Sequence, residues 1–132
     1  MVVLADSSAW IEFFRRTGSP IARAMRRRLD ADEVATTDLI IMELLAGANE
    51  EPQLAKARRA VDGCRYLPQR RRSDAVAAAA IYRQCRRAGE TPRQLTDCLV
   101  AAIALRNRLP VLHRDRDYDV ISRHCGLEVV TE

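Results

Sequence analysis

The stretch "VLHRDRDYD" at 111–119 places Asp115, Asp117 and Asp119 at alternate positions directly after an apolar run, in a chain of net charge +4. Carboxylates crowded in this way repel, so they are held either by solvent at an exposed turn or by a cation they share. A calcium loop would need glycine at the sixth position and glutamate at the twelfth. Val120 and Gly126 stand there instead. A phosphatase of the D-x-D type would carry its pair after the first strand, whereas only Tyr118 to Glu132 follow Asp117. A solvated loop and a site completed by acids from elsewhere in the chain remain.

Other acids are available for such a site. Asp6 ends the β-branched run "VVLA". Glu43 is the only charge in "LIIMELLAGA", where helical spacing puts it on one face with Leu39, Ile40 and Gly47. An ionised glutamate buried in such a helix costs several kcal/mol unless it is paired or metal-bound, so it either reaches out from the rim or is a ligand. Asp97, in "LTDCLVAAIAL", taken alone is an acid in the first turn of a helix, where it offsets the helix dipole by about 0.3–1 kcal/mol. Taken together, Asp6, Glu43, Asp97 and Asp115 with Asp117 can converge on one crevice. Four or five carboxylates stay ionised there only around a hard divalent cation, and all-oxygen ligation points to Mg2+ or Mn2+ rather than zinc. Such a cation polarises a phosphodiester and activates water.

The elements that must position these acids follow from periodicity. "VVLA" reads as a strand and "SSAWIEFFRR" as a helix with Trp10, Phe13 and Phe14 on one stripe. A second helix is capped by Ser19 with Pro20 in its first turn, and "EVAT" is a second strand. Thr37 or Asp38 opens the helix carrying Glu43, and the helix after Pro52 ends at Gly63. "RYLP" is a third strand, Ser73 is the expected cap of "DAVAAAAIYRQCRRAG", and Thr91 or Thr96 opens the helix of Asp97. "VLH" is the fourth strand, Tyr118 to about His124 a short helix, and "LEVV" the fifth strand. Strands alternating with helices predict a mainly parallel sheet covered on both faces, with its site beyond the carboxyl ends of the strands. Asp6 leaves the first strand there, and Asp115 the fourth.

A chain of 132 residues, 48% hydrophobic and without a linker, repeat or low-complexity tract, fits one domain. Apolar runs such as "AVAAAAIY" are too short to span a membrane, and "MVVLADSS" lacks the basic lead of a signal peptide, so the cytoplasm is the expected compartment. Cys64, Cys85, Cys98 and Cys125 form no C-x-x-C pair and read as buried reduced thiols, in preference to a zinc site built on His124 and Cys125. All 22 basic residues except Lys56 are arginine. Genome composition explains that bias as readily as phosphate binding does. The "RRR" runs at 26–28 and 70–72 read as solvated faces.

"LADSSAWIEF", "IIMELLAG", "LTDCLVAAIAL" and "VLHRDRDYD", in this order and across nearly the whole chain, resemble the PIN-domain ribonucleases, in particular VapC-type toxins of toxin–antitoxin pairs. The resemblance implies a single PIN domain over 1–132 with a five-stranded parallel sheet of order 3-2-1-4-5. It implies a Mg2+- or Mn2+-dependent endoribonuclease that forms homodimers, is neutralised by a VapB-type antitoxin and joins it in a larger assembly. Carried onto this chain, the metal cup consists of Asp6, Glu43, Asp97 and Asp115, with Asp117 accessory and Ser8 orienting a ligand or water beside Asp6. Arg114 and Arg116 are the nearest candidates to hold RNA phosphates. His113-Arg114-Asp115 departs from the Thr-Arg-Asn or Thr-Arg-Asp turn of many members, and His113 is expected to be structural. The alternative within this fold is a module that binds RNA or protein without cleaving. A phosphoacceptor signalling domain would need a lysine near the last strand, and the only lysine is Lys56.

Overall fold

The computed structural model describes residues 1–130. Five short parallel strands, β1 (Val3–Ala5), β2 (Val34–Thr37), β3 (Arg65–Leu67), β4 (Val111–Leu112) and β5 (Val129–Val130), form one sheet in the expected order β3-β2-β1-β4-β5. Parallel pairing needs a crossover between successive strands, and seven helices among the described residues supply it. They are α1 (Ser7–Phe14), α2 (Pro20–Asp30), α3 (Asp38–Ala46), α4 (Glu51–Asp62), α5 (Arg71–Arg87), α6 (Leu95–Arg106) and α7 (Arg116–Cys125). Helices α1, α2 and α3 pack together, α4 joins α3, and α5, α6 and α7 form a second group. The central strands β1, β2 and β4 are buried throughout, as expected of strands covered on both faces. Trp10, Met25, Ile40, Ile103 and Ile121 fill the core against them.

The central strands set the site. Leu4 pairs with Val111 and Ala5 with Leu112, so the chain leaves β1 and β4 side by side at the same edge. Asp6 and Asp115, at the start of the following helices, therefore lie at the same edge of the sheet without any long-range loop.

Three expected helix starts are displaced, each for a traceable reason. Helix α5 begins at Arg71 rather than after Ser73, because the buried Asp74 carboxylate reaches back to the Arg70 N–H at 2.6 Å. Arg106 at the end of α6 donates to the same carboxylate at 2.9 and 2.8 Å and helps hold it below the usual carboxylate range. Helix α6 starts at Leu95, and neither Thr91 nor Thr96 caps it. Helix α7 starts at Arg116, two residues before the expected Tyr118, with Asp115 as its N-cap, and ends on Gly126 in the left-handed region at φ +70°. Thr37 donates its hydroxyl to the Leu67 carbonyl instead of capping α3. Of the four thiols, Cys85 and Cys98 are buried, while Cys64 and Cys125 are half-buried; none is in a disulfide.

Candidate active site

Asp6, the N-cap of α1, is buried, and its Oδ2 accepts the Ser8 backbone N–H at 3.0 Å and the Ser8 hydroxyl at 2.6 Å. The Ser8 oxygen in turn accepts the Arg114 N–H at 2.9 Å, which stitches the β1 exit to the β4 exit. Ser8 thus stands where the sequence puts it, beside Asp6. Across the crevice Asp97, Asp115 and Asp117 each offer a carboxylate oxygen, all within 4.8 Å of one another. Asp115 Oδ1 accepts the Asp117 N–H at 3.0 Å as the α7 cap. Asp117 Oδ2 accepts the backbone N–H groups of Arg93 and Gln94 at 2.9 and 3.0 Å, so one carboxylate secures the entrance to α6 that no threonine caps.

These acids do not share charge evenly. Burial, then the charges of Asp6 and Asp115, push Asp97 up to about 9, so it carries a proton at neutral pH. Burial pushes Asp117 up as well, but the two backbone donors and the neighbouring Arg93 outweigh it and hold its carboxyl below the usual range. A proton held by Asp97 and shared with Asp117 reconciles the pair. Glu43, half-buried on α3, is raised by burial and by the Asp6 charge, against a hydrogen bond from Ser7. It is absent from the three-aspartate group, and the carboxylate whose charge acts on it is Asp6.

Do these residues suit a divalent cation? Asp97 Oδ2 is buried and accepts no hydrogen bond, an expensive state for a carboxylate oxygen unless it is protonated or ligating. All the donors are hard oxygens, the set that suits Mg2+ or Mn2+. They fit.

A family model described as PIN domain matches residues 3–124, a span that contains every one of these acids. The chain belongs to the PIN-domain family. It is 44% identical over 98% of both chains to a VapC ribonuclease of Mycobacterium bovis and, to the same extent, to ribonuclease VapC11 of Mycobacterium tuberculosis, which makes it a VapC-type member. Its fold also matches DNA-bound VapBC from Salmonella typhimurium at a TM-score of 0.74, with 18% identity and 98% of each chain covered.

In this PIN domain the arginines expected on phosphate divide. Arg114 pairs with the buried Glu12, while Arg116 is exposed at the rim. His113 Nδ1 accepts the Asp115 N–H at 3.0 Å, which leaves the ring proton on Nε2, 3.5 Å from Asp119 Oδ1. Burial lowers its pKa, so the ring is a neutral strut under the β4–α7 turn.

Sequence reasoning missed Tyr118. Its aromatic ring belongs to the core, as helical periodicity says, but its hydroxyl lies 2.7 Å from Asp6 Oδ1 and 3.3 Å from Asp97 Oδ1. One phenol thereby bridges the two halves of the cup. The only signal in the sequence is a tyrosine where a phenylalanine would fill the same space. Tyr118→Phe is expected to destabilise the metal-free protein by about 1–3 kcal/mol, because two buried carboxylates lose a donor. The loss should be smaller with saturating Mg2+, so melting with and without metal checks it, and equal losses in both states would contradict the bridge.

Proposed function

We propose that this PIN domain is a Mg2+- or Mn2+-dependent endoribonuclease toxin that hydrolyses RNA phosphodiester bonds in the cytoplasm and is neutralised by a VapB-type antitoxin. The single observation that carries the reading is the convergence of Asp97, Asp115 and Asp117, with Asp6 joined to Asp97 through the Tyr118 hydroxyl, in a chain 44% identical to VapC ribonucleases. Asp97, Asp115 and Asp117, with Asp6 and Glu43 opposite, would hold the cation, which supplies charge neutralisation at the phosphate and an acidified water. The chain's own residues do the rest. Ser8 fixes the rotamer of Asp6, Tyr118 fixes the gap between Asp6 and Asp97, and Asp97 gives up its proton when the cup fills. Glu43, raised and half-exposed, is suited to receive the proton of the attacking water. Beside Asp115 a cleft of about 430 Å3 lined by Pro20, Ile21, Arg114 and Arg116 gives flanking nucleotides a place to lie.

Two surfaces suit protein partners. The alanine-rich side of α5 exposes Val76 next to an apolar groove formed with Leu95 and Leu99 of α6, a face fit for a second copy of the chain. Trp10 is fully buried and therefore core, while Phe13 and Phe14 are half-buried and Ile11 and Met42 are exposed on α1 and α3, which pack together. That face fits an apolar helix of the antitoxin. The purified, metal-stripped protein should leave total bacterial RNA intact, and added Mg2+ or Mn2+ should produce discrete new 5′ ends. Cleavage that persists in excess EDTA would sink the metal mechanism, and no cleavage under any metal would favour the non-catalytic binding module.

A further inference from the structure

Five exposed or half-exposed arginines of this chain are spoken for: Arg58 by Asp62, Arg65 by Asp32, Arg106 by Asp74, Arg114 by Glu12 and Arg123 by Glu90. Arg93 differs. It sits in the turn between α5 and α6, where its backbone N–H is fixed to Asp117, so its Cα cannot leave the cup. Its side chain is 64% exposed, and its guanidinium lies 3.6 Å from Asp117 Oδ1 and 3.8 Å from Asp115 Oδ1. Both distances exceed hydrogen-bond length, so among the described residues its side-chain donors meet no acceptor. An exposed pair of this kind is worth about 0–1 kcal/mol, too little to hold the side chain in place.

We propose that Arg93 is the phosphate-binding residue of the cup: its guanidinium balances Asp115 and Asp117 before a cation enters, and then turns to a non-bridging oxygen of the scissile RNA phosphate. With a divalent cation held by the three aspartates, the carboxylate charge that attracts Arg93 would be neutralised and its guanidinium released. The side chain is long, its backbone N–H is held by Asp117, and most of the side chain is exposed to solvent beside Asp115 and Asp117. The planar fork suits two phosphate oxygens and stays charged at every working pH. Arg114, committed to Glu12, is less free to do this.

The inference rests on the metal-dependent RNA-cleavage reading. Arg93→Ala keeps the backbone N–H that Asp117 needs, so the fold is expected to survive, as melting temperature will show. Cleavage of total bacterial RNA at the sites cut by the wild type should fall about tenfold to hundredfold, the size of a lost charged hydrogen bond. Mn2+ affinity, read by calorimetry without RNA, should be equal or tighter, because a competing positive charge is gone. Arg93→Lys, which retains the charge without the fork, should recover part of the cleavage. A fall in cleavage accompanied by weaker Mn2+ binding would mark Arg93 as a support of the cup and overturn the proposal, as would unchanged cleavage. If the wild type itself cuts no RNA with metal, the functional reading fails and this assignment falls with it, an outcome distinct from an Arg93 variant that cuts as the wild type does.

Discussion

Asp97→Asn is expected to abolish cleavage while leaving the metal-free protein as stable as the wild type or more so. In the folded, metal-free cup burial and the charges of Asp6 and Asp115 push Asp97 up to about 9, from an ordinary value of 3.8. Between those values the folded protein holds a proton that the unfolded chain has released, so stability falls as pH rises from about 4 towards 9. Asparagine removes that dependence. The advantage of the variant should therefore grow from pH 5 to pH 8, read as the difference in melting temperature without metal. An ordinary first-turn acid behaves in the opposite way: its amide costs about 0.3–1 kcal/mol at the helix N-terminus, and more as the pH rises. The same proton opposes the cation, so wild-type Mn2+ affinity should increase with pH across this window, while that of Asp97→Asn stays weak and nearly flat. A variant that is inactive because it unfolds at 25 °C would return Asp97 to a purely structural role.

The contrast between those two roles of Asp97 shows how far the sequence reaches. Position and residue type make it a plausible dipole partner, and only convergence with Asp6 and Asp115 makes it a ligand candidate. That convergence is legible because β1 and β4 are short apolar runs, each followed at once by an acid, and adjacent parallel strands deliver their exits to the same edge. The strand order itself came from resemblance to a family, since nothing in five short strands dictates 3-2-1-4-5. Tyr118 and Arg93 were illegible for physical reasons. A tyrosine ring obeys the same periodicity as any core aromatic, and its hydroxyl adds direction that one-dimensional spacing does not carry. Arg93 is one arginine among many, distinguished only by a backbone hydrogen bond to an acid 24 residues away. The displaced starts of α5 and α6 have the same origin, because each is set by a carboxylate, Asp74 or Asp117, whose partners are distant in sequence or lie upstream of the expected cap.

The three aspartates of "HRDRDYD" are expected to separate into three phenotypes. Asp115→Asn should remove cleavage, since this carboxylate both caps α7 and faces Asp97 and Asp117. The Asp117 variants separate two functions held by different oxygens. Its Oδ2 accepts the Arg93 and Gln94 N–H groups, while Oδ1 is the atom nearer the Arg93 guanidinium and free of backbone donors. An asparagine can keep its carbonyl at the backbone donors and place its amide at the other position. Asp117→Asn should thus fold near normally, cleave slowly and need about ten- to a hundredfold more metal, in the range typical of a disturbed ligand set. Asp117→Ala also strands two N–H groups, and should lose a further 1–3 kcal/mol of stability, roughly. Asp119 follows Asp117 by two helical residues, about 200° around the helix. It meets His113 rather than the cup, and it is absent from the three-aspartate group. Asp119→Asn should therefore cleave at close to the wild-type rate with an unchanged metal requirement. Metal titrations of cleavage across the four variants distinguish these roles, and an Asp119 variant as inactive as Asp115→Asn would show that the acidic turn works as one unit rather than as two ligands and a bystander.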